Sequence, residues 1–407
     1  MSEHAKFSPS GAHRWGACPG SLALEADYPD DSSSYADEGT GAHTLASMVL
    51  EDDIAGCNLM IGERLEIREG VTVEVTEEMA EETQKYVDFV RAIRETGYGL
   101  AVEQRVDFSQ TLGLEPGEGF GTADAVLFGD GHITVVDLKF GKGVRVDAEE
   151  NEQLMLYALG AIETFGDMFG PFQTVTVVIH QPRIAAGVSI WHTDTARLEE
   201  FARELATTAV DVKAAIRTKA LGKDISKAYL KPGTETCRWC KAKATCPAIE
   251  TFVQEAVGAN FDDLTVEVTP PAELGDNSLP NAMAAVETIE DWCKAVRAET
   301  ERRLLAGKPV TGWKLVEGKK GNRQWTNEAD AEKLLREKFR LPADDMYKKS
   351  LVGIPAIEKL LKTSPKRWDQ VKALITQAKG KPSVAPESDT RAAWQPVTFD
   401  DVEVELT

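Results

Sequence analysis

Three charged residues in the stretch 119–143, GFGTADAVLFGDGHITVVDLKFGKG, have the types and spacing to do chemistry together: Asp124, Asp137 and Lys139. Asp130-Gly131 is a strong two-residue hairpin signal, because a type I′ turn needs positive φ at both central positions. With those two at the turn, cross-strand partners have numbers summing to 261, and Asp124 faces Asp137. Facing carboxylates on a half-buried sheet repel one another, and a bound cation removes the conflict. Oxygen donors with few other ligands suit Mg²⁺ or Mn²⁺, which keep waters in their remaining positions. Lys139 lies two residues beyond Asp137 and therefore projects from the same strand face. Two carboxylates and a lysine so placed fit metal-assisted phosphodiester hydrolysis. The metal makes a water more acidic, and the lysine orients the nucleophile and neutralises developing charge. Alone, D-x-K equally describes a hairpin with a surface ion pair.

Further along, Gln153 and Tyr157 are spaced i, i+4 and share one helix face, and His43 follows Gly39-Thr40-Gly41 on an earlier helical stretch. Taken singly, each is as well explained by an ordinary helix surface or a structural histidine. The GTG triplet does not complete a dinucleotide-binding fingerprint, and LKFGKG lacks the spacing and Ser/Thr of a phosphate loop. Cys237, Cys240 and Cys246 form C-x2-C-x5-C, a spacing that points to a metal rather than to disulfides. Cys18, which like Cys246 precedes a proline, is the best fourth ligand, whereas Cys57 and Cys293 read as ordinary thiols. Four such thiolates hold either Zn²⁺ or an iron–sulfur cluster, and spacing does not choose between them.

The elements that must position these residues follow from periodicity. Helices are expected over 36–52 and 77–95, the second capped by Thr76 with Met79, Tyr86, Val90 and Ile93 on one face. Strands are expected at 100–107, 119–128 and 132–139, then a helix over 148–165, strands at 173–180 and 187–193, and a helix over 195–220. The order α-β-β-β-α-β describes a mixed sheet with helices on its faces. Residues 221–250 are turn-rich and hold the cysteine triplet; 258–280 has the paired prolines and turn residues of a linker. We expect a domain over 1–257, a basic and mainly helical domain over 281–381, and an acidic tail over 382–407. A short echo, FDDLTVEV at 261–268 and FDDVEVEL at 399–406, reads as a pair of docking peptides or edge strands, or as chance.

The chain has 407 residues, 42% hydrophobic and 28% charged, with a net charge of −21. That composition excludes wholesale disorder and a fibrous protein. No run is apolar for the roughly 18–20 residues a membrane helix needs. The opening MSEHAKFSPS lacks the pattern of a signal peptide, and six cysteines are too few for a secreted disulfide scaffold, so a cytoplasmic location is expected. The acidic balance argues against nucleic acid, but it is uneven: 301–381 carries 20 Lys+Arg against 10 Asp+Glu. That basic block is either an electrostatic footprint for a polyanion or a solvated helical face.

Taken together and in this order, the motifs resemble the RecB-like branch of the PD-(D/E)XK nuclease superfamily, and within it the iron–sulfur-stapled exonucleases of phages, CRISPR systems and recombination machines. The resemblance spans about residues 8–250: Ser8, Ser10, Cys18 and Pro19, then Gly39 and His43, Gly121 and Asp124, Asp137 and Lys139, Gln153 and Tyr157, and the closing cysteines. It implies a restriction-endonuclease-like α/β core with a cysteine staple. His43, Asp124 and Asp137 would bind Mg²⁺ or Mn²⁺, with the Leu138 carbonyl as a further ligand, and the strand residue Glu103 would help in the site. Lys139 would assist the attacking water, and Gln153 and Tyr157 would support the lysine and the phosphate. Cys18, Cys237, Cys240 and Cys246 would hold a [4Fe–4S] cluster, with Zn²⁺ the alternative. The second acid is Asp137 where many relatives have Glu; the family pattern permits both.

The expected function is a metal-dependent DNA exonuclease that works from double-stranded ends and leaves single strands for recombination or repair. The basic block would hold the DNA backbone, a single-strand annealing protein would be the partner, and the acidic tail its docking segment. The rival readings are a structure-specific endonuclease and a non-catalytic nuclease-fold DNA-binding or assembly protein.

Overall fold

A computed structural model of the protein describes residues 5–28, 34–257 and 278–314, with short pieces between 333 and 372, including a helix at Pro365–Lys372. The chain divides into two compact units, Met1–Val316 and Glu317–Thr407. Most of the expected linker, most of the basic block, the acidic tail and both FDD segments lie outside the described residues.

The first unit is built on a five-stranded mixed sheet in the spatial order β3-β4-β5-β6-β7. Its strands are β3 (Gly99–Asp107), β4 (Phe120–Gly129), β5 (His132–Leu138), β6 (Thr174–His180) and β7 (Val188–Asp194). β3, β4 and β5 run antiparallel in sequence, β5 and β6 are parallel, and β7 returns antiparallel. A parallel pair needs a crossover, and α5 (Glu152–Phe169) supplies it. β1 (Arg64–Arg68) and β2 (Val71–Glu74) form a separate ribbon that alternation alone did not suggest; Gly70, at φ +73°, makes its turn.

The β4–β5 hairpin has the register expected from its turn. Asp130 and Gly131 have φ of +50° and +72°, and the pairs run from Gly129↔His132 to Ala125↔Val136. α5 starts later than its apolar pattern suggests, because Asn151 caps it by accepting a hydrogen bond from Leu154 N (3.2 Å). α6 (Thr195–Ala220) is capped in the same way by Asp194, and α4 (Glu77–Arg94) by Thr76.

Two cores sandwich the sheet. On one face α5 and α6 bury Leu154, Leu156, Leu198 and Val212 against Val126, Val135 and Val177, and the N-terminal segment adds Phe7 and Trp15. On the other, α3 (Ser34–Glu51) and α4 bury Leu45, Val49, Met79, Tyr86 and Val90 against Leu127, Val136 and Val178. Burial of this kind, about 1.5–3 kcal/mol for each large side chain, dominates what holds the helices on the sheet.

A third, smaller cluster joins Cys18, Ala23, Ala215, Ile225, Leu230 and Ala248, with Cys246 packed against it. It ties the N-terminal helices α1 (Ala12–Ala17) and α2 (Ser21–Glu25) to the turn-rich 221–250 segment that follows α6. Within that segment and just past it, α7 (Thr234–Arg238) and α8 (Pro247–Val257) pack against α9 (Ser278–Leu305), so α9 belongs to the first unit. Among the described residues, no helix is long and apolar enough to cross a membrane.

Candidate metal and phosphate site

The site forms where the β4–β5 ladder gives out. Past Ala125↔Val136 the Asp124 carboxylate takes over the role of a backbone partner: its Oδ2 accepts the Leu138 N–H at 2.7 Å. Its Oδ1 lies 3.0 Å from His43 Nδ1, which α3 brings over β4. On the other side of Asp124 the β3–β4 pairing is interrupted. Val102↔Ala125 and Gln104↔Ala123 are in register, while Glu103 between them has φ +45°. A glutamate in the left-handed region costs roughly 1–3 kcal/mol and persists only where its surroundings fix it, often at a functional site. Here it brings the Glu103 carboxylate to Asp124. One donor atom from each of His43, Glu103 and Asp124 lies within 4.8 Å of the other two.

Asp137 and Lys139 make the second half. Asp137 is almost wholly buried, and Lys139 Nζ sits 3.2 Å from its Oδ1 and 2.9 Å from its Oδ2. Lys139 also donates to Gln153 Oε1 at 3.1 Å. Gln153 Nε2 in turn donates to Asp137 Oδ1 (3.3 Å) and to the Tyr157 hydroxyl (3.2 Å), so one turn of α5 fixes both charged groups. Asp137 Oδ2 is buried, and its contact is the ion pair with the Lys139 ammonium at 2.9 Å. Gly121 is required by this packing: a Cβ there would stand 2.7 Å from Pro9 Cγ and 2.7 Å from Tyr157 Cε1.

The electrostatics show a site with more negative charge than its own cations balance. Burial pushes His43 down, but the charge and hydrogen bond of Asp124, helped by Asp137 and Glu103, outweigh it and raise the imidazole to about 9. Glu103 is exposed by surface area yet crowded by neighbouring atoms; that crowding, then the charge of Asp124, pushes its carboxyl up to about 7 against the pull of His43. Asp137 is likewise raised, by burial first and Asp124 after the opposing effect of Lys139. Lys139 is pushed down by burial but held above its ordinary value by Asp137, so it stays an ammonium. Burial and the same carboxylates raise Tyr86 and Tyr157. Three carboxyl groups facing one imidazole and one ammonium fit a divalent cation held by hard oxygen and imidazole donors.

The structure thus brings all seven residues singled out around this site together, but in two linked sets. His43, Glu103 and Asp124 are the tight donor group; Asp137 stands with Lys139, Gln153 and Tyr157. Arg183 was not picked out by sequence. It reaches Glu38 of α3 (3.0 Å), Glu78 of α4 (3.0 Å) and the face of Phe140, one residue beyond Lys139. Its only sequence signal is position, just past the strand end whose His180 carbonyl accepts the Lys139 N–H.

Of the cysteines, Cys18 lies in the fields of Cys246 and Cys237, across more than two hundred residues of chain, and Cys237 in that of Cys246. Backbone N–H groups of Lys231 and Gly233 donate to the sulfurs of Cys18 (3.3 Å) and Cys237 (3.4 Å). Burial raises the thiols of Cys18 and Cys237, and pushes Cys240 up to about 12. Cys57 belongs to the α3–α4 core instead.

A family model described as "Protein of unknown function (DUF2800)" matches residues 4–392. The chain belongs to the DUF2800 family. Among solved structures, it is similar to an alkaline exonuclease, LHK-Exo, from Laribacter hongkongensis, at 12% identity over 52% of this chain and 95% of that one, with a TM-score of 0.24. The complex of LHK-Exo with dAMP matches at 13% identity over 52% and 96%, also at 0.24. The crystal structure of SSO0001 matches at 12% identity over 61% and 89%, at 0.27. In this DUF2800 chain the two linked sets describe a site able to hold a divalent cation beside a fixed ammonium, a pairing suited to a phosphate.

Proposed function

We propose that this protein is a metal-dependent deoxyribonuclease with a PD-(D/E)XK-type site, acting from DNA ends. The observation that carries the reading is Lys139, held charged by Asp137 and aimed by Gln153, beside the His43–Glu103–Asp124 donor group.

His43, Glu103 and Asp124 would hold Mg²⁺ or Mn²⁺, with Asp137 and the Leu138 carbonyl completing the set. When bound, the metal supplies positive charge at the scissile phosphate and acidity for the attacking water. Asp124 orients His43 so that Nε2 is the ring nitrogen left for the metal, which requires the proton on Nδ1. Lys139 stays protonated, so it acts as an electrostatic clamp on the phosphate and the nucleophile and not as the base. Gln153 gives the ammonium a further acceptor beside Asp137, and Tyr157 fixes the amide of Gln153.

The finer reading extends to an exonuclease that leaves single strands for recombination or repair, with the basic 301–381 block on the DNA backbone and a single-strand annealing protein as partner. Cys18, Cys237, Cys240 and Cys246 would carry a [4Fe–4S] cluster as a staple. Their support is that Cys18 lies in the fields of Cys237 and Cys246, together with the backbone N–H groups that donate to the Cys18 and Cys237 sulfurs.

The test is Mg²⁺-dependent digestion of end-labelled linear and covalently closed circular DNA by wild type and Asp124→Asn. Loss of linear DNA alone, abolished by the substitution, is the expected result. Cutting of circles would make the enzyme an endonuclease, and digestion insensitive to the substitution would refute this site.

A further inference from the structure

Acids within the first unit hold many of its cations: Glu25 holds Arg14, Asp37 holds Arg68, Glu38 and Glu78 hold Arg183, and Asp137 holds Lys139. Arg105 of β3 is different. It is exposed, and among the described residues its side chain makes no ion pair and no hydrogen bond. Its guanidinium carbon stands 3.7 Å from the centre of the Phe120 ring, and Phe120 is itself only 9% exposed. A guanidinium over an aromatic face has one side of its plane covered. Its N–H donors, which lie in that plane, stay available to an acceptor.

Arg105 is paired in register with Thr122, and each stands two residues from a member of the donor group: Arg105 from Glu103 on β3, Thr122 from Asp124 on β4. Two residues of strand span about 6.6 Å, comparable with the step from one phosphate of a nucleic acid strand to the next. The face fits as well. Val106 packs towards Gly160 of α5, and Gly121 towards Tyr157 of the same helix. Alternation therefore turns Arg105, Phe120 and Thr122 to the opposite side of the sheet, where α3 brings His43. In the sheet order β4 lies between β3 and β5. Arg105 thus stands on one flank of the donor group and Lys139, just past β5, on the other.

We infer that Arg105 binds the backbone phosphate next to the one attacked, while the metal and Lys139 take the scissile phosphate. This deepens the nuclease reading and rests on it. The planar fork of a guanidinium matches two oxygens of one phosphate. Phe120 holds that fork in place beforehand, so less freedom is lost when the phosphate arrives. In a chain of net charge −21, a cation that no internal acid consumes is one a polyanion can use. The contact is to the backbone and reads no base sequence.

The experiment uses the full-length protein and a series of short DNA duplexes. In each, one linkage, counted inward from the end on either strand, is a neutral methylphosphonate. kcat/KM is measured in Mg²⁺, and binding by fluorescence anisotropy in EDTA over a salt series. For the unmodified duplex, Arg105→Met is expected to lower kcat/KM about 10- to 100-fold, the range for a lost hydrogen bond to a charged group. It should also flatten the slope of log affinity against log salt by about 0.7–0.9, one phosphate contact. The decisive readout is the profile over linkages. In the wild type, neutralising the linkage beside the cut should cost a similar factor; in Arg105→Met it should cost nothing further. Arg105→Lys, which keeps the charge and loses the fork, should fall between the two. Each profile compares substrates within one variant, so a loss of folded protein cancels. Identical profiles in wild type and Arg105→Met would overturn the proposal. Digestion that Asp124→Asn abolishes and Arg105→Met leaves unchanged sinks the contact and spares the nuclease reading. Binding with an Arg105-dependent profile, but no digestion by the wild type, does the reverse; neither binding nor digestion removes both.

Discussion

His43 and Asp124, 81 residues apart in the chain, meet at 3.0 Å, and the second oxygen of the same carboxylate is taken by the Leu138 N–H. Asp124 is therefore oriented from both sides before any metal arrives. Asp124→Asn replaces one acceptor oxygen by an amide and cannot serve both donors. We expect nuclease activity to fall by at least about a thousandfold, the scale of removing an electrostatic anchor at a reaction centre. In the wild type Mn²⁺ should raise the melting temperature, by mass action on the folded state, and in Asp124→Asn it should not. A Mn²⁺-induced rise that survives the substitution would place the metal elsewhere.

The metal-free protein should show opposite pH signatures at His43 and Glu103. The His43 pKa is raised to about 9, so its stabilising effect is complete below its unfolded value near 6.5 and is lost as pH climbs through 9. Glu103 is raised to about 7, so its ionisation opposes folding: the cost is absent below about pH 4.5 and complete above 7. Glu103→Gln should stabilise the metal-free protein at pH 8, by about 1 kcal/mol once solvent screening of an exposed group is allowed for, and not at pH 4. Melting curves in EDTA at the two pH values decide it, and saturating Mg²⁺ should erase the gain.

Removing Lys139 exposes Asp137 to burial without a counter-charge. Lys139→Met should cost about 3–5 kcal/mol in chemical denaturation, and the double variant with Asp137→Asn should recover most of that, since both charges are then gone. Activity should not recover in the double variant. Additive stability losses would show that the pair is not coupled.

Gly121→Ala tests the packing behind Gln153 and Tyr157. The new methyl meets Pro9 and the Tyr157 ring at 2.7 Å, both part of a packed wall. A stability loss of about 1–3 kcal/mol is expected, the cost of overpacking, with a fall in kcat larger than any change in KM. Tyr157→Phe, which keeps the ring and loses the hydroxyl, should restore neither when combined with it.

The proposed cysteine staple carries a prediction about composition. Protein purified without oxygen should be brown and carry iron, and Cys18→Ser should lose both, whereas Cys57→Ser, in a different core, should keep them. Colourless protein with one stoichiometric zinc would assign the four thiols to Zn²⁺ instead.

Much of the site was legible because it is local. Asp130-Gly131 fixes a register that runs to Ala125↔Val136, one position short of the expected Asp124–Asp137 pair, and Asp124 turns to the Leu138 N–H instead; i, i+4 spacing alone puts Gln153 beside Tyr157. What was not legible depends on distortions and long-range packing. Glu103 joins Asp124 through a left-handed backbone that no propensity foretells for a glutamate. Arg183 matters because of three partners at remote sequence positions, and β1–β2 lies in a stretch whose alternation is too short to stand out. Periodicity placed α6 to the residue, while α5 began four residues later than its apolar pattern because Asn151 is its cap.

The separation of His43 from the β4–β5 hairpin also sets an order of events. A tight hairpin closes in microseconds, since its loop is two residues long. The imidazole has to wait for a helix far upstream to find the sheet, a contact with a much larger loop to close. A chain caught midway would hold Asp124 and Asp137 in place with an incomplete donor set. On the proposed nuclease reading, newly made or partly unfolded protein would be inert towards DNA, and in refolding experiments Mn²⁺ binding should trail hairpin formation, appearing only as α3 docks.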